Sequence, residues 1–472
     1  MKTYAIILAA GKGTRMKSLL EDKSKVSYPI LGIPLVKHVL NALQPLQLDK
    51  KVTIVGFGGP ATEAIVRDES EIVYQHEQKG TGHAIMQVAP VLAGLEGKTL
   101  IVCGDTPLLR TQTLKALIAE HNQDGNKLTI LSAIVPDPHG YGRIVRDDNG
   151  AVLEIVEQAD VNETQNQIKE VNAGVYVFDN KLLFSYLDNL KPTNAQGEYY
   201  LTDLIKMFKK DGLKIGASIA SDYKEMLGIN DRRQLEEAAR IMARQINEKH
   251  MLAGVTIEDC GSTYIGPDVV IGQDTIIRPG THILGNSVIG KFNVIGPSTY
   301  LENVIVGDEN HIIFSHIADS TVGNANEIGP YARIRGHSVV ENHTRVGNFV
   351  EFKACVLHDG AKSAHLSYLG DVEIGEKTNI GCGTIVANYD GYNKTKTFIG
   401  KDVFVGSGST LISPITISDH AYIAAGSTIN RDVPQDDMAI ARARQENKPG
   451  YGNVVREKAL QKKLANQKSK LK

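Results

Sequence analysis

At 472 residues the chain is too long for one ordinary domain, so two or three are expected. Its 52 Lys and Arg stand against 54 Asp and Glu, a net charge of -2 that argues against a general nucleic-acid or membrane-surface protein. With 45 Gly, no Trp and ten Phe, the composition suits tight turns better than a bulky aromatic core. The apolar run at the N-terminus, through Ile6-Ile7-Leu8, is too short for a signal sequence and reads as a first strand. No stretch approaches the length of a membrane span. Cys103, Cys260, Cys355 and Cys382 are scattered without metal-ligand spacing, which fits a reducing, cytoplasmic setting.

Taken in order, the first part alternates strand-like runs at 4–8, 51–55, 71–74, 99–102, 128–134 and 174–177 with helical patterns at 34–43, 62–68, 82–92 and 111–120. This predicts an open, mostly parallel α/β sheet with its sites beyond the strand C-termini. A charged amphipathic run from 231 to about 251 reads as one linker helix. The expected organisation is a first domain over 1–230, that helix, a second domain over 252–437, and a loop with a solvated, basic, partly disordered tail over 438–472.

The second domain carries an aliphatic residue every sixth position: Ile265, Ile271, Ile277, Ile283, Ile289, Ile295, Leu301. The phase slips near Val306-Gly307, resumes at Val322, and slips again before Ile374. A period of six fits neither a helix nor simple strand alternation. It is the hexapeptide signature of a parallel β-helix, with about eighteen residues per three-faced coil and small residues at the corners. No coil buries its own apolar row, so stacking makes the core. Breaks in the repeat mark projecting loops, expected at 351–369 and 388–397.

The chemistry of the first part begins at Leu8-Ala9-Ala10-Gly11-Lys12-Gly13-Thr14-Arg15, a strand ending in a Gly-rich loop expected to open a helix. It is neither a Walker loop nor G-x-G-x-x-G. Gly11 and Gly13 would still let backbone N–H groups approach a phosphate, with Arg15 a cation at the helix N-terminus. Alone, Asp105 is as readily a helix cap as a metal ligand, and Asn230 a cap of the linker helix.

The whole string resembles the L-A-A-G-x-G-T-R signature of sugar-1-phosphate nucleotidylyltransferases. That resemblance implies a Rossmann-like, GT-A-type mixed sheet. It makes Lys25 and Arg15 catalytic phosphate contacts, and Asp105 and Asn230 ligands of Mg²⁺. It also makes Leu8, Ala9, Ala10, Gly11, Gly13, Gln75, Gly80, Thr81, Gly142, Glu157 and Asn172 contacts to nucleotide and sugar. The family usually has Pro before the Lys and Leu-His after the following Val, where this chain has Ser24, Ser27 and Tyr28.

Together with the second-domain strings Ala332-Arg333-Ile334-Arg335, Glu351-Phe352-Lys353, His365-Leu366-Ser367-Tyr368-Leu369-Gly370 and Gly381-Cys382-Gly383-Thr384, the chain resembles the bacterial bifunctional N-acetylglucosamine-1-phosphate uridylyltransferase/glucosamine-1-phosphate N-acetyltransferase family. The resemblance implies a left-handed β-helix, with Arg333, Lys353, Tyr368, Asn379 and Lys394 holding the sugar phosphate and His365 as general base. Cys382, Asn388, Tyr389, Ser407, Ala425 and Arg442 would contact acetyl-CoA. It further implies UTP as the nucleotide, and a homotrimer whose acetyl-transfer sites lie between neighbouring prisms. Cys382 and Gly336 stand where the family more often has Ala and Pro. Independently of family, an amine nucleophile needs a base titrating near neutrality, and His is suited to that. A single-activity nucleotidylyltransferase and a non-catalytic regulatory subunit are the other readings of the same two folds.

Overall fold

The computed structural model describes residues 2–20 and 23–469. The chain divides into two units, Met1–Ala253 with Ile257–Val269 and Ile283–Gly285, and the remainder through the C-terminal segment.

In the first unit the sheet strands are β1 (Thr3–Ala9), β2 (Lys50–Val55), β3 (Glu71–Tyr74), β4 (Lys98–Cys103), β5 (Leu128–Ile134), β6 (Arg143–Arg146), β7 (Val152–Val156), β8 (Glu170–Asp179) and β9 (Ile215–Ile219). Their order is β9-β5-β8-β4-β1-β2-β3, with the β6–β7 hairpin attached to β8. From β4 to β3 the pairing is parallel, as the alternation predicts. β8 runs antiparallel to both β4 and β5, so the sheet is mixed rather than mostly parallel. Ile6 and Ile101 pack on one face and their neighbours Ile7 and Leu100 on the other, each in a separate apolar cluster. This two-sided burial is why Ala5–Ala9 in β1 and Leu100–Cys103 in β4 are apolar without alternation.

Three local expectations are corrected. The pattern at 82–92 is two helices, Thr81–Met86 and Ala89–Leu92, because Pro90 cannot continue a helix from the preceding turn. The Gly-rich loop opens no helix: Thr14–Met16 is a single 3₁₀ turn, closed when Lys17 adopts φ 48°. Arg15 therefore does not stand at an α-helix N-terminus. The linker helix is Arg232–Leu252, and Asp231, not Asn230, caps it in a reciprocal box with Gln234.

The second unit is a stack of parallel coils, as the six-residue beat predicts. Ile289, Val306, Val322, Val340, Leu357, Ile374, Ile399 and Ile417 lie in one column, each in register with the next. Leu301, Ile317, Ile334, Phe352 and Leu369 form a second column. Nearly all of these side chains are fully buried, each contributing about 1.5–3 kcal/mol relative to exposure. Beside the apolar columns runs a buried polar one. The Asn293 carboxamide oxygen accepts from Asn310 N at 2.8 Å, that of Asn310 from Asn326 N at 3.0 Å, and that of Asn326 from Thr344 N at 2.8 Å.

These links span 17, 16 and 18 residues, which accounts for the early phase slips. Farther on, Val403 reaches back 25 residues to Thr378, and the extra length is the 388–397 excursion. The loop expected at 351–369 does not exist: Arg345–Leu357 and Lys362–Ile374 are two long strands in unbroken register. Nor are the corners reserved for small residues. Phe314, Tyr331 and Phe349 turn with φ 44°, 64° and 59°, their rings outside the prism. Large side chains are tolerated there because each corner points them into solvent. The tail is not simply a loop, since Tyr451–Ser469 forms an exposed helix. Its Ala, Leu, Lys, Gln and Arg content favours helix without a packing partner.

Candidate active sites

The first site is a cleft of about 520 Å³ at the C-terminal ends of β1 and β4. Its walls include Leu8 to Thr14, Lys25, Gln75, Gly80, Thr81 and Asp105, with Lys12, Gln78 and Glu198 added by the structure. The floor is built by backbone: Gly104 N donates to Leu8 O at 2.9 Å, setting Asp105 beside the Gly-rich loop. Gly13 has φ 59°, and a Cβ there would lie 2.7 Å from the Lys25 Cβ. Gly80, at φ 107°, would place a Cβ 2.6 Å from Tyr199 O. Gly82 N also donates to that oxygen at 2.8 Å, so the 194–203 segment is clamped at Tyr199 against the 79–82 wall of the cleft.

The Lys25 ammonium donates to Asp105 Oδ2 and, at 3.0 Å, to Asn230 Oδ1. Arg15 Nη2 reaches the same Asn230 oxygen at 3.0 Å. Four residues distant in sequence thus meet at one point. Asp105 does not cap a helix; its backbone oxygen accepts from Ile229 N at 2.9 Å, which brings Asn230 alongside. Cys103 lines the cleft, but burial, with the nearby Asp105 charge adding, pushes its thiol up to about 12, so it is no nucleophile. Ser24 and Tyr28 have local partners: Ser24 Oγ bonds Thr62 Oγ1 at 2.6 Å, and Tyr28 lies under the Lys23 ammonium and the Arg232 guanidinium.

Beside the cleft, Gly142 O accepts from Asn172 N at 2.9 Å, and Glu157 stands under Gly142. Burial raises the Glu157 carboxyl above its usual range, opposed by the Thr202 hydroxyl at 3.1 Å. Arg143, fully buried, ties this corner together. It donates to Tyr141 O, to Gln158 Oε1 at 3.0 Å and to Asn166 Oδ1 at 3.3 Å.

In the second unit Arg333, Glu351 and Tyr368 stand in register on successive coils, with Arg335, Lys353 and Gly370 two positions along. Lys353 Nζ donates to both oxygens of Asp371, at 3.0 and 2.9 Å. Asn388 Nδ2 donates to the same carboxylate. The Asp371 hydrogen bond holds the Lys353 ammonium above the ordinary lysine range. Arg335 pairs with Glu351 at 2.7 Å. His365 lies exposed on a strand, paired with Asn348, just before the corner at Leu366; it is not in a surface loop.

Below Leu366, Cys382, Ser407 and Ala425 follow down the same corner. Gly383, Gly408 and Gly426 donate to Leu366 O, Cys382 O and Ser407 O, and Arg442 Nη1 closes on Ala425 O at 2.8 Å. Tyr389 and Lys394 bridge the neck of the excursion. Asn379 is not brought to the Tyr368 face; it lies in register with Lys362 and Phe404, on another face. Gly336 takes φ 70°, a conformation closed to proline. Glu351 and Asp371 have no assigned role in the sequence reading. Their signal is a spacing of 18 residues from Arg333 and Lys353: Glu351 is in register with Arg333, and Asp371 lies one residue past Gly370, the register partner of Lys353.

A glycine-lined cleft at strand ends, joined in one chain to hexapeptide coils bearing a second polar face, points to a two-domain transferase. Residues 4–225 match the nucleotidyl transferase family, and 396–431 match the bacterial transferase hexapeptide repeats. The chain is 49% identical over 450 residues to the bifunctional protein GlmU of Listeria welshimeri, covering 95% of this chain and 98% of that one. The same values hold for GlmU of Listeria monocytogenes. GlmU of an Exiguobacterium species is 48% identical over 451 residues, 96% and 99% of the two chains. The chain belongs to the bifunctional GlmU family, and it is a bifunctional enzyme of uridylyl and acetyl transfer.

Proposed function

We propose that the first cleft couples UTP to N-acetylglucosamine-1-phosphate and that the coil face around Lys353 and His365 acetylates glucosamine-1-phosphate beforehand. The observation carrying the first assignment is the meeting of Arg15, Lys25, Asp105 and Asn230 beside a loop of exposed backbone amides. A sugar phosphate oxygen attacks the α-phosphorus of UTP. That P–O bond forms as the bridge to the β-phosphate breaks, and pyrophosphate leaves. Charge neutralisation and in-line placement are the requirements, and no covalent nucleophile is needed. Lys25 and Arg15 meet phosphate oxygens, while Gly80 and Gln75 flank the base and Gly142, Glu157 and Asn172 flank the sugar.

Asp105 and Asn230 fit a Mg²⁺ ligand pair, because two hard oxygens already converge on a single cationic centre. When bound there the ion would supply further neutralisation of phosphate charge. The described residues contain no cluster of three or more His, Cys, Asp or Glu able to hold a metal, so the other ligands would be phosphate oxygens and water.

In the second reaction the sugar amine attacks the thioester carbonyl of acetyl-CoA, the C–N bond forms as the C–S bond breaks, His365 takes the amine proton, and CoA leaves as a thiolate that is then protonated to the free thiol. Arg333 and Lys353 hold the sugar phosphate, with Tyr368 beside them, and the Leu366–Arg442 corner receives the coenzyme. Asn379, on another face, supports a site completed by a second copy, as in a homotrimer. Hexapeptide coils are consistent with such oligomers. No described helix is long and apolar enough to cross a membrane; a cytoplasmic location is the corresponding reading.

Two outcomes test the layout. A fragment beginning near Leu252 is expected to stay folded and retain acetyl transfer, because the coils bury their own core; insolubility would place the boundary elsewhere. Arg143→Met is expected to cost about 1 kcal/mol of stability, since it removes the buried guanidinium that ties Tyr141 O, Gln158 Oε1 and Asn166 Oδ1 together at the half-exposed rim of this corner. In steady-state kinetics it should raise KM for the sugar phosphate more than for UTP, and equal rises would deny Arg143 its place behind the sugar wall.

A further inference from the structure

We propose that Lys25 is a placeholder for the divalent cation, its ammonium held between Asp105 and Asn230 until a nucleotide draws it away, so that cation and nucleotide enter together. The inference rests on reading Asp105 and Asn230 as the metal ligands. Lys25 Nζ donates to Asp105 Oδ2 and lies 3.0 Å from Asn230 Oδ1, the two oxygens a metal would need. Oxygen ligands sit about 2.1 Å from Mg²⁺, so ion and ammonium would compete for nearly the same point, both positive. The Lys25 and Asp105 side chains are only 13% and 19% exposed, so water screens this competition weakly.

The main chain holds Lys25 in place. Ser24 and Val26 are buried on either side, and the Lys25 Cβ rests against Gly13. Exchange is therefore a swing of the side-chain stem alone. The cleft beside it, lined by Gly11, Lys12, Gly13 and Thr14, is where a triphosphate would offer the ammonium new oxygens. Without nucleotide the ammonium stays on Asp105 and Asn230, its bonded oxygens among the described residues, and the cation meets an occupied position. Arg15, bonded to the same Asn230 oxygen at 3.0 Å, keeps that ligand oriented during the exchange.

The test is Mn²⁺ binding to the full-length protein, followed by electron paramagnetic resonance without nucleotide. Lys25→Met and Lys25→Gln are expected to tighten Mn²⁺ binding by at least about tenfold over wild type. Lys12→Met, which removes one positive charge from the same cleft without touching Asp105, should change it by less than about threefold. Adding UTP should abolish most of the difference between wild type and the Lys25 variants. If Lys25→Met and Lys25→Gln tighten binding no more than Lys12→Met, the effect is long-range charge and the placeholder is overturned. Asp105→Asn separates the two layers: if Mn²⁺ binding with UTP present is unchanged in that variant, the metal-ligand reading itself fails.

Discussion

Asp105→Asn should lower the turnover of uridylyl transfer by about 10³-fold or more while leaving acetyl transfer within about twofold. The substitution keeps the shape of the side chain and the backbone bond from Ile229 to residue 105, so the fold of the cleft should survive. What disappears is the one carboxylate that bonds Lys25 among the described residues, and with it the proposed anionic ligand for a cation at the phosphates. An amide oxygen can still accept from Lys25, but it cannot balance a positive charge in a cleft where the lysine side chain is 13% exposed. Assaying pyrophosphate and CoA release on the same preparation decides the matter. A parallel fall in CoA release would show that the two activities are not independent.

His365→Ala should have the converse pattern, a loss of about 10²–10⁴-fold in acetyl transfer with uridylyl transfer unaffected. The side chain is exposed and packs against no core, so its removal should cost little stability. A large kinetic loss would then be chemical in origin. The geometry permits the role: His365 precedes the Leu366 corner, with the Arg333–Lys353–Tyr368 face on one side and the Cys382–Ser407–Ala425 edge continuing below. Acetyl transfer at the wild-type rate in the alanine variant would remove His365 from the reaction and return attention to Glu351 and Asp371, the carboxylates on that face.

The β-helix was legible because its signal is redundant: an isoleucine missed at one coil is restated at the next. Its loops were less so. The strings around Glu351 and His365 break the six-residue beat, yet the chain absorbs the change by making coils of 17 and 18 residues rather than by projecting. Only the 25-residue step past Thr378 exceeds what a corner can take up. In the first unit, β1, β2, β4 and β5 were readable as largely buried runs, and β3 as a short apolar one although it lies at the sheet edge. The β6–β7 hairpin was not, because its strands are only four and five residues long, and Arg143, fully buried on the first, looks from sequence like a surface residue. The Gly-rich loop shows a different limit. Gly11 and Gly13 correctly mark a close approach of backbone, but nothing local announces that Lys17 will end the turn. Asn230 could be placed beside Lys25 only by resemblance, since 205 residues separate them.

The buried Asn293–Asn310–Asn326–Thr344 column bears on how such a chain finds its own arrangement. Aliphatic rungs are nearly interchangeable, so an assembling solenoid could seat one winding against the wrong neighbour and still hide its isoleucines. Carboxamides cannot be shuffled that way. Each has donor and acceptor matched to the next, and a skipped or doubled winding would leave one of them dry and unpaired, at about 1–3 kcal/mol apiece. The ladder thus acts as an indexing strip, distinguishing the one correct threading from its near-copies in a structure otherwise built of repeats.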